Sequence, residues 1–290
     1  MRGAGKIAIR GIIMLDAFLD ALLDTLKILP VLFVTYLLIE IIEHKAGNKV
    51  NRLVAASGKA GPLLGSCFGL IPQCGFSGAI ASLFAAGTVS LGTLIAVFLT
   101  TSDEMLPILI SESVSAGEIL ALLGIKFASG IFFGFAVDLI FRRSRSNTIE
   151  KFCENDNCDC EHDGVLVSAV KHTAKIIIVI FAVSLVLNFV FVLVGDEFIG
   201  KAIISVPVVG ELITGLIGLI PNCSSSVALT NLYVGQSVTT GQLISGLCVN
   251  GGVGLIVLYR TNKNLKENLT VTGLLYVFGV ITGCIVSIFA

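Results

Sequence analysis

The chain has 290 residues, of which 55% are hydrophobic and only 13% charged, and its mean hydropathy is +0.96. Soluble globular proteins carry roughly 25% charged residues, so this composition excludes a soluble enzyme and reads as an integral membrane protein. The net charge of −1 comes from 19 basic and 20 acidic residues gathered in short clusters between apolar runs, with no basic surface of the kind that binds nucleic acid.

At the N-terminus Arg2, Lys6 and Arg10 precede apolar residues, but Asp16, Asp20 and Asp24 interrupt the stretch that a cleaved signal peptide would need apolar, so cleavage is not expected. These aspartates fall at i, i+4 and i+8, which predicts an amphipathic, interfacial N-terminal helix within residues 1–27. A first membrane span follows over Ile28–Glu43. Glu40, Glu43 and His44 at its end share one helical face, a spacing that can hold a divalent metal, but they read first as a snorkelling, solvated helix end beside Lys45, with Glu40 deep enough to line an exit path.

Two apolar pieces of about 12 residues each, Ala60–Ile71 and Phe76–Ala86, flank a Pro72-Gln73-Cys74-Gly75 turn. Both fall short of the ~20 residues that cross the hydrocarbon, so they read as half-helices meeting near mid-membrane. Leu91–Ile110 then carries Thr100-Thr101-Ser102-Asp103-Glu104 at its centre, where a carboxylate costs at least ~2.5 kcal/mol, and it predicts a helix unwound there. Ile119–Phe141 closes the series as a full span containing Lys126, a structural partner for the acidic pair or part of an ion path.

The series then repeats. Gly69-Leu70-Ile71-Pro72-Gln73-Cys74 returns as Gly218-Leu219-Ile220-Pro221-Asn222-Cys223, and at this offset of 149 about 19 of the 72 positions from 69 to 140 are identical. Upstream, at an offset of 148, Thr25-Leu26-Lys27-Ile28 matches Thr173-Ala174-Lys175-Ile176. Residues 28–141 thus form one transmembrane repeat and residues 172–290 a second, with spans Ile176–Val194 and Asn268–Phe289 and with Asn250-Gly251-Gly252 opposite the polar run. Between them, residues 142–171 form a polar linker.

Loop charges oppose each other. Lys45, Lys49, Arg52 and Lys59 correspond to a loop with Asp196, Glu197 and Lys201, while Glu112 and Glu118 correspond to a loop with Arg260, Lys263 and Lys266. By the positive-inside rule the copies insert upside down relative to each other, with three or five crossings each. Residues 142–175, opening with Arg142, Arg143 and Arg145, would be cytoplasmic in a multi-pass protein of the cell (inner) membrane. The expected fold is an all-α polytopic membrane protein of two inverted-topology repeats whose broken or re-entrant half-helices meet at mid-membrane.

Inverted repeats with broken helices place one cavity at mid-membrane, the plan of many secondary transporters. Gln73, Cys74, Ser77, Thr101, Ser102, Asp103 and Glu104 would line it from copy one, and Asn222, Cys223, Ser224, Ser225, Ser226 and Asn250 from copy two. Asp103, Glu104, Lys126 and Glu40 are candidates for ion coupling, protons included. In the linker, Cys153, Cys158, Cys160 and His162 among acidic residues form a soft-metal donor set, and the same segment also reads as an acidic linker with incidental thiols. Of eight cysteines, five lie in apolar stretches, which is no secreted disulfide framework.

Together GLIPQCGFSG, SLGTLIAVFLTTSDE, His172-Thr173-x-Lys175-Ile176 and GLIPNCSSSVALTNLY resemble the ten-span heavy-metal exporter family of bacteria, described variously as arsenic efflux proteins and manganese transporters. The resemblance covers nearly all of the chain. It implies five spans per copy and export of a metal or metalloid ion; no cofactor is assigned, and a bound metal ion is the one candidate. Soft arsenite would favour Cys74 and Cys223, whereas manganese would favour Asp103, Glu104, Asn222 and Asn250. No P-loop is present, so the energy source would be an ion or proton gradient. A small-anion carrier, a channel and an intramembrane enzyme using Cys74 or Cys223 with Asp103 as base are the other readings. Gly130 and Gly134, with Gly279 and Gly283, permit close helix packing either within one chain or in an oligomer.

Overall fold

The computed structural model describes residues 60–141 apart from Gln73 and Asp103, 165–194, 208–289, and parts of 18–37. The described residues form helices and no strand: α1 Gly61–Gly69, α2 Cys74–Ala85, α3 Leu91–Thr100, α4 Met105–Ser111, α5 Ala116–Ile140, α6 Val165–Val194, α7 Val209–Gly218, α8 Cys223–Val234, α9 Thr240–Val249, α10 Val253–Thr261 and α11 Leu265–Phe289. Within 18–37 every described residue is helical.

Local chemistry sets the boundaries. Pro72 and Pro221 stand in the turns that separate the short helices, because proline has no N–H to continue a helix. Ser90 caps α3 by accepting from Thr93 N at 3.1 Å, and Ser115 caps α5 by accepting from Glu118 N at 3.3 Å. Thr239 and Gln242 cap α9 reciprocally, each side chain accepting from the other residue's backbone N–H at 3.0 and 3.3 Å. At 9 residues α1 is only about 14 Å long, less than half the hydrocarbon thickness.

Both central helices break where the polar runs predict. α3 ends at Thr100 and α4 begins at Met105; α9 ends at Val249 and α10 begins at Val253. In the second break Gly252 holds φ 53° and ψ −144°, a conformation essentially reserved for glycine. Among the described residues five segments have membrane-spanning length and apolarity: Leu91–Ser111 and Thr240–Thr261, each containing a break, with Ala116–Ile140, Ala169–Val186 and Leu265–Phe289.

α6 starts at Val165, earlier than a span beginning at Ile176, so the last residues of the segment read as a linker are helical. Lys171 and Lys175, one turn apart, lie exposed on the same face and do not interrupt the helix. On α6 Ala169, Thr173 and Ile180 are buried, and at an offset of 148 so are Ala21, Thr25 and Leu32. Thr25 Oγ1 donates to Ala21 O and Thr173 Oγ1 to Ala169 O, both at 2.7 Å.

α3–α4 and α9–α10 form the centre of the bundle, and residues 241–258 are all buried. α5 and α11 lie outside them and bury one stripe each. Ile119, Leu122, Lys126, Gly130 and Gly134 correspond at offset 149 to Asn268, Val271, Leu275, Gly279 and Gly283, all buried. Their outer faces carry Leu120, Phe132 and Leu139, and Leu269, Val277 and Ile288, exposed as lipid-facing side chains are. The packing is close: a Cβ on Gly92 would stand 2.1 Å from Gly134 O, and one on Gly241 would stand 2.6 Å from Gly283 O. The small-residue seams therefore join α3 to α5 and α9 to α11 within one chain.

Candidate functional site

The short helices pack across the two halves of the chain. α2 lies against α10, and α8 against α4, so each tip of one half meets the second part of the other half's broken helix. The contact leaves no room: a Cβ on Gly254 would approach Ser77 Cβ and Ser77 O to 2.8 Å, and Phe98 to 2.6 Å. Sequence reasoning predicted tips facing tips; it did not anticipate that each tip is seated on the opposite break.

Lys126 is a charged side chain at this centre and among the largest of the fully buried ones. It is fully buried, and its Nζ donates to Thr101 O at 2.5 Å and to Leu247 O at 2.9 Å. Thr101 is the C-cap of α3, and Leu247 lies in the last turn of α9. Carbonyls at helix ends lack intrahelical donors and carry the negative end of the dipole, so one ammonium satisfies two broken ends at once. Lys126 thereby acts as a clamp between the halves, a partnership that the expected pairing with Asp103 or Glu104 did not include.

The hydroxyl groups at the breaks and tips turn their hydrogens inward. Thr101 Oγ1 donates to Val97 O at 2.8 Å and Ser102 Oγ to Thr100 O at 2.9 Å. On α8 Ser225 Oγ donates to Asn222 O and Ser226 Oγ to Cys223 O, both at 2.7 Å. Each such oxygen keeps lone pairs as an acceptor. Asn250 Oδ1 accepts from Gly252 N at 2.8 Å and so holds the second break in shape. Asn222 Nδ2 donates to Ser224 Oγ at 3.2 Å. Thr101, Ser102, Asn222, Cys223, Ser225, Ser226 and Asn250 are all buried, while Glu104 stands half-buried at the N-cap of α4.

Gln73, Asp103, Glu40, Glu43, His44, Cys153, Cys158, Cys160, His162 and the side chain of Cys74 lie outside the described residues, as do Asp16, Asp20 and Asp24. Among the described residues no three His, Cys, Asp or Glu side chains gather closely enough to hold a metal ion.

Two carboxylates were missed in the sequence. Asp138 on α5 accepts from Ser90 Oγ at 2.7 Å and Gly92 N at 2.9 Å, and so caps α3 from a neighbouring helix. Glu211 on α7 is 1% exposed and accepts from Ser287 Oγ, while its Oε2 has no hydrogen-bond partner among the described residues. An acid inside the apolar run around α7 was the available signal, the same one that singles out Asp103 and Glu104.

A family profile described as "Putative, 10TM heavy-metal exporter" matches residues 12–200, well over half of the chain. The chain belongs to this family. It is accordingly a multi-pass membrane protein of an exporter family. Counting each broken pair once, the described residues supply ten helical segments: the helical residues of 18–37, α1, α2, α3–α4 and α5, then α6, α7, α8, α9–α10 and α11. Neither the curated proteins nor the solved structures compared with the chain contain a match.

Proposed function

We propose that the chain is a secondary-active transporter, not an enzyme, that exports a metal or metalloid ion by alternating access at a mid-membrane site between two inverted repeats. One observation carries this reading: both central helices break at corresponding places, and the broken ends are tied together by a single buried ammonium, Lys126. Broken helices around one centre are a common transporter plan. Inversion is supported by the ends that share one pocket, since Glu118 at the start of α5 and Ser287 near the end of α11 line the same cavity. Equivalent helices that meet start to end run in opposite directions.

A cation fits the centre better than an anion, because the hydroxyl hydrogens at Thr101, Ser102, Ser225 and Ser226 are committed to backbone carbonyls and lone pairs are left for a ligand. Asp103, Glu104, Asn222 and Asn250 would serve a hard ion such as manganese; Cys74 and Cys223 would serve arsenite or another soft one. Gln73, Ser77 and Ser224 complete the lining, and Asp103, Glu104 and Glu40 are the groups to exchange protons. In the cytoplasmic loop, Cys153, Cys158, Cys160 and His162 would raise the local concentration of a soft metal.

Binding of manganese, zinc and arsenite to the purified protein in detergent tests the reading on wild type, Asp103→Asn, and Cys74→Ser with Cys223→Ser. Manganese binding lost only in Asp103→Asn assigns a hard cation. Arsenite or zinc binding lost only in the cysteine pair assigns a soft one. Absence of all binding would overturn the metal reading in favour of a small-anion carrier, for which the buried charge of Lys126 and the uncapped first turn of α8 speak.

A further inference from the structure

A cavity of about 700 Å³ lies away from the broken helices, between the start of α5, the ends of α8 and α11, and the first turns of α7 and α9. Its charged lining residues among those described are Glu112, Glu118 and Glu211, and the described lining presents no basic side chain, no thiol and no imidazole. Glu112 and Glu118 are exposed on the outer wall, where Tyr233 OH donates to Glu118. Glu211 is the innermost group, almost fully buried, with Oε1 held by Ser287 and Oε2 unpartnered. A buried carboxylate oxygen without a donor has given up its hydration with nothing in return, and a ligand in the cavity would restore a partner.

The corresponding region of the first half accounts for its carboxylate differently. There Asp138 occupies the position of Ser287 at offset 149, and both of its oxygens are engaged in capping α3 through Ser90 and Gly92. In the second half α9 is capped by its own Thr239–Gln242 box, and the carboxylate beside Ser287 is that of Glu211, from the first turn of α7.

We propose that this cavity binds a hard divalent cation together with part of its water shell, with Glu211 Oε2 as the protein ligand and Glu118 and Glu112 as the attracting wall. Carboxylates as the charged donors, with no thiol or imidazole among the described lining residues, select manganese-, magnesium- or calcium-like ions over thiophilic ones. No three acidic side chains converge to hold a bare ion among the described residues, so water fills the remaining positions. The site stands apart from the mid-membrane centre and does not depend on the ion assigned there.

The test is binding of manganese chloride to the full-length protein in detergent, followed by the loss of the free aqueous manganese signal in electron paramagnetic resonance. Glu211→Gln keeps the side chain's shape and is expected to weaken one equivalent at least tenfold; Glu118→Gln with Glu112→Gln is expected to weaken the same equivalent about threefold through the lost field. Asp103→Asn should leave that equivalent in place. Wild-type affinity and stoichiometry in Glu211→Gln would overturn the proposal, as would an equivalent lost only in Asp103→Asn, which would belong to the centre. Should Glu211→Gln not fold, unchanged binding in the folded Glu118→Gln, Glu112→Gln double variant overturns it by itself.

Discussion

Lys126 of α5 reaches Leu247 of α9, 121 positions along the chain, and donates to its carbonyl oxygen at 2.9 Å while also holding Thr101 O. The position equivalent to Lys126 in the second half is Leu275, so this clamp is built once and is asymmetric. Truncation to Lys126→Met keeps the length and removes the donor. Each carbonyl left dry costs about 1–3 kcal/mol, so the thermal midpoint in detergent should fall and transport in proteoliposomes should be lost. Lys126→Arg should not restore it, because a planar guanidinium does not fit a site shaped for a point charge. An unchanged midpoint in Lys126→Met would remove the clamp from the account.

Gly252 and Asn250 shape the second break together. Gly252→Ala forces a side chain into φ 53°, ψ −144°, at a cost of about 1–3 kcal/mol. Asn250→Ala leaves Gly252 N without its acceptor. Both variants should lose transport while remaining folded by size-exclusion chromatography, and wild-type transport in either would argue that the break is only structural.

The two glycine seams should respond alike. Gly92→Ala and Gly241→Ala place a methyl within 2.1 and 1.9 Å of neighbouring atoms, and overpacking of this kind costs about 1–3 kcal/mol. Gly124→Ala and Gly273→Ala meet nothing within 4 Å and should be neutral or stabilising by up to about 1 kcal/mol through helix propensity. Thermal unfolding of the four variants checks the ordering.

Asp138→Ala should destabilise α3 by about 1–2 kcal/mol, since Ser90 Oγ and Gly92 N lose their acceptor. The effect should be seen as faster amide hydrogen exchange at the start of α3, and equal protection in wild type and variant would count against it.

Inversion of the two halves is open to labelling with a membrane-impermeant maleimide in a chain otherwise free of cysteine. Glu118→Cys should react from outside, and Lys266→Cys, one position before the residue equivalent to Glu118, from the cytoplasmic side with Ser144→Cys. Reaction of Glu118→Cys and Lys266→Cys from one side would exclude inversion.

The sequence by itself determined the membrane class, a self-similarity of its letters at one offset and the places where helices stop. These rest on local physics: a deficit of charge, an offset of 149 in the identities, and prolines, glycines and polar runs where a helix cannot continue. The helix bounds 74, 91 and 116 return as 223, 240 and 265, the same offset read from the letters. Only the tertiary structure decided which half each tip rests on, that Lys126 holds Thr101 and Leu247, that the glycine seams close within one chain, and that Glu211 is left without a donor. These depend on contacts between residues far apart in the chain, where side-chain direction and the room left by a neighbouring backbone choose among partners that composition and spacing leave equivalent.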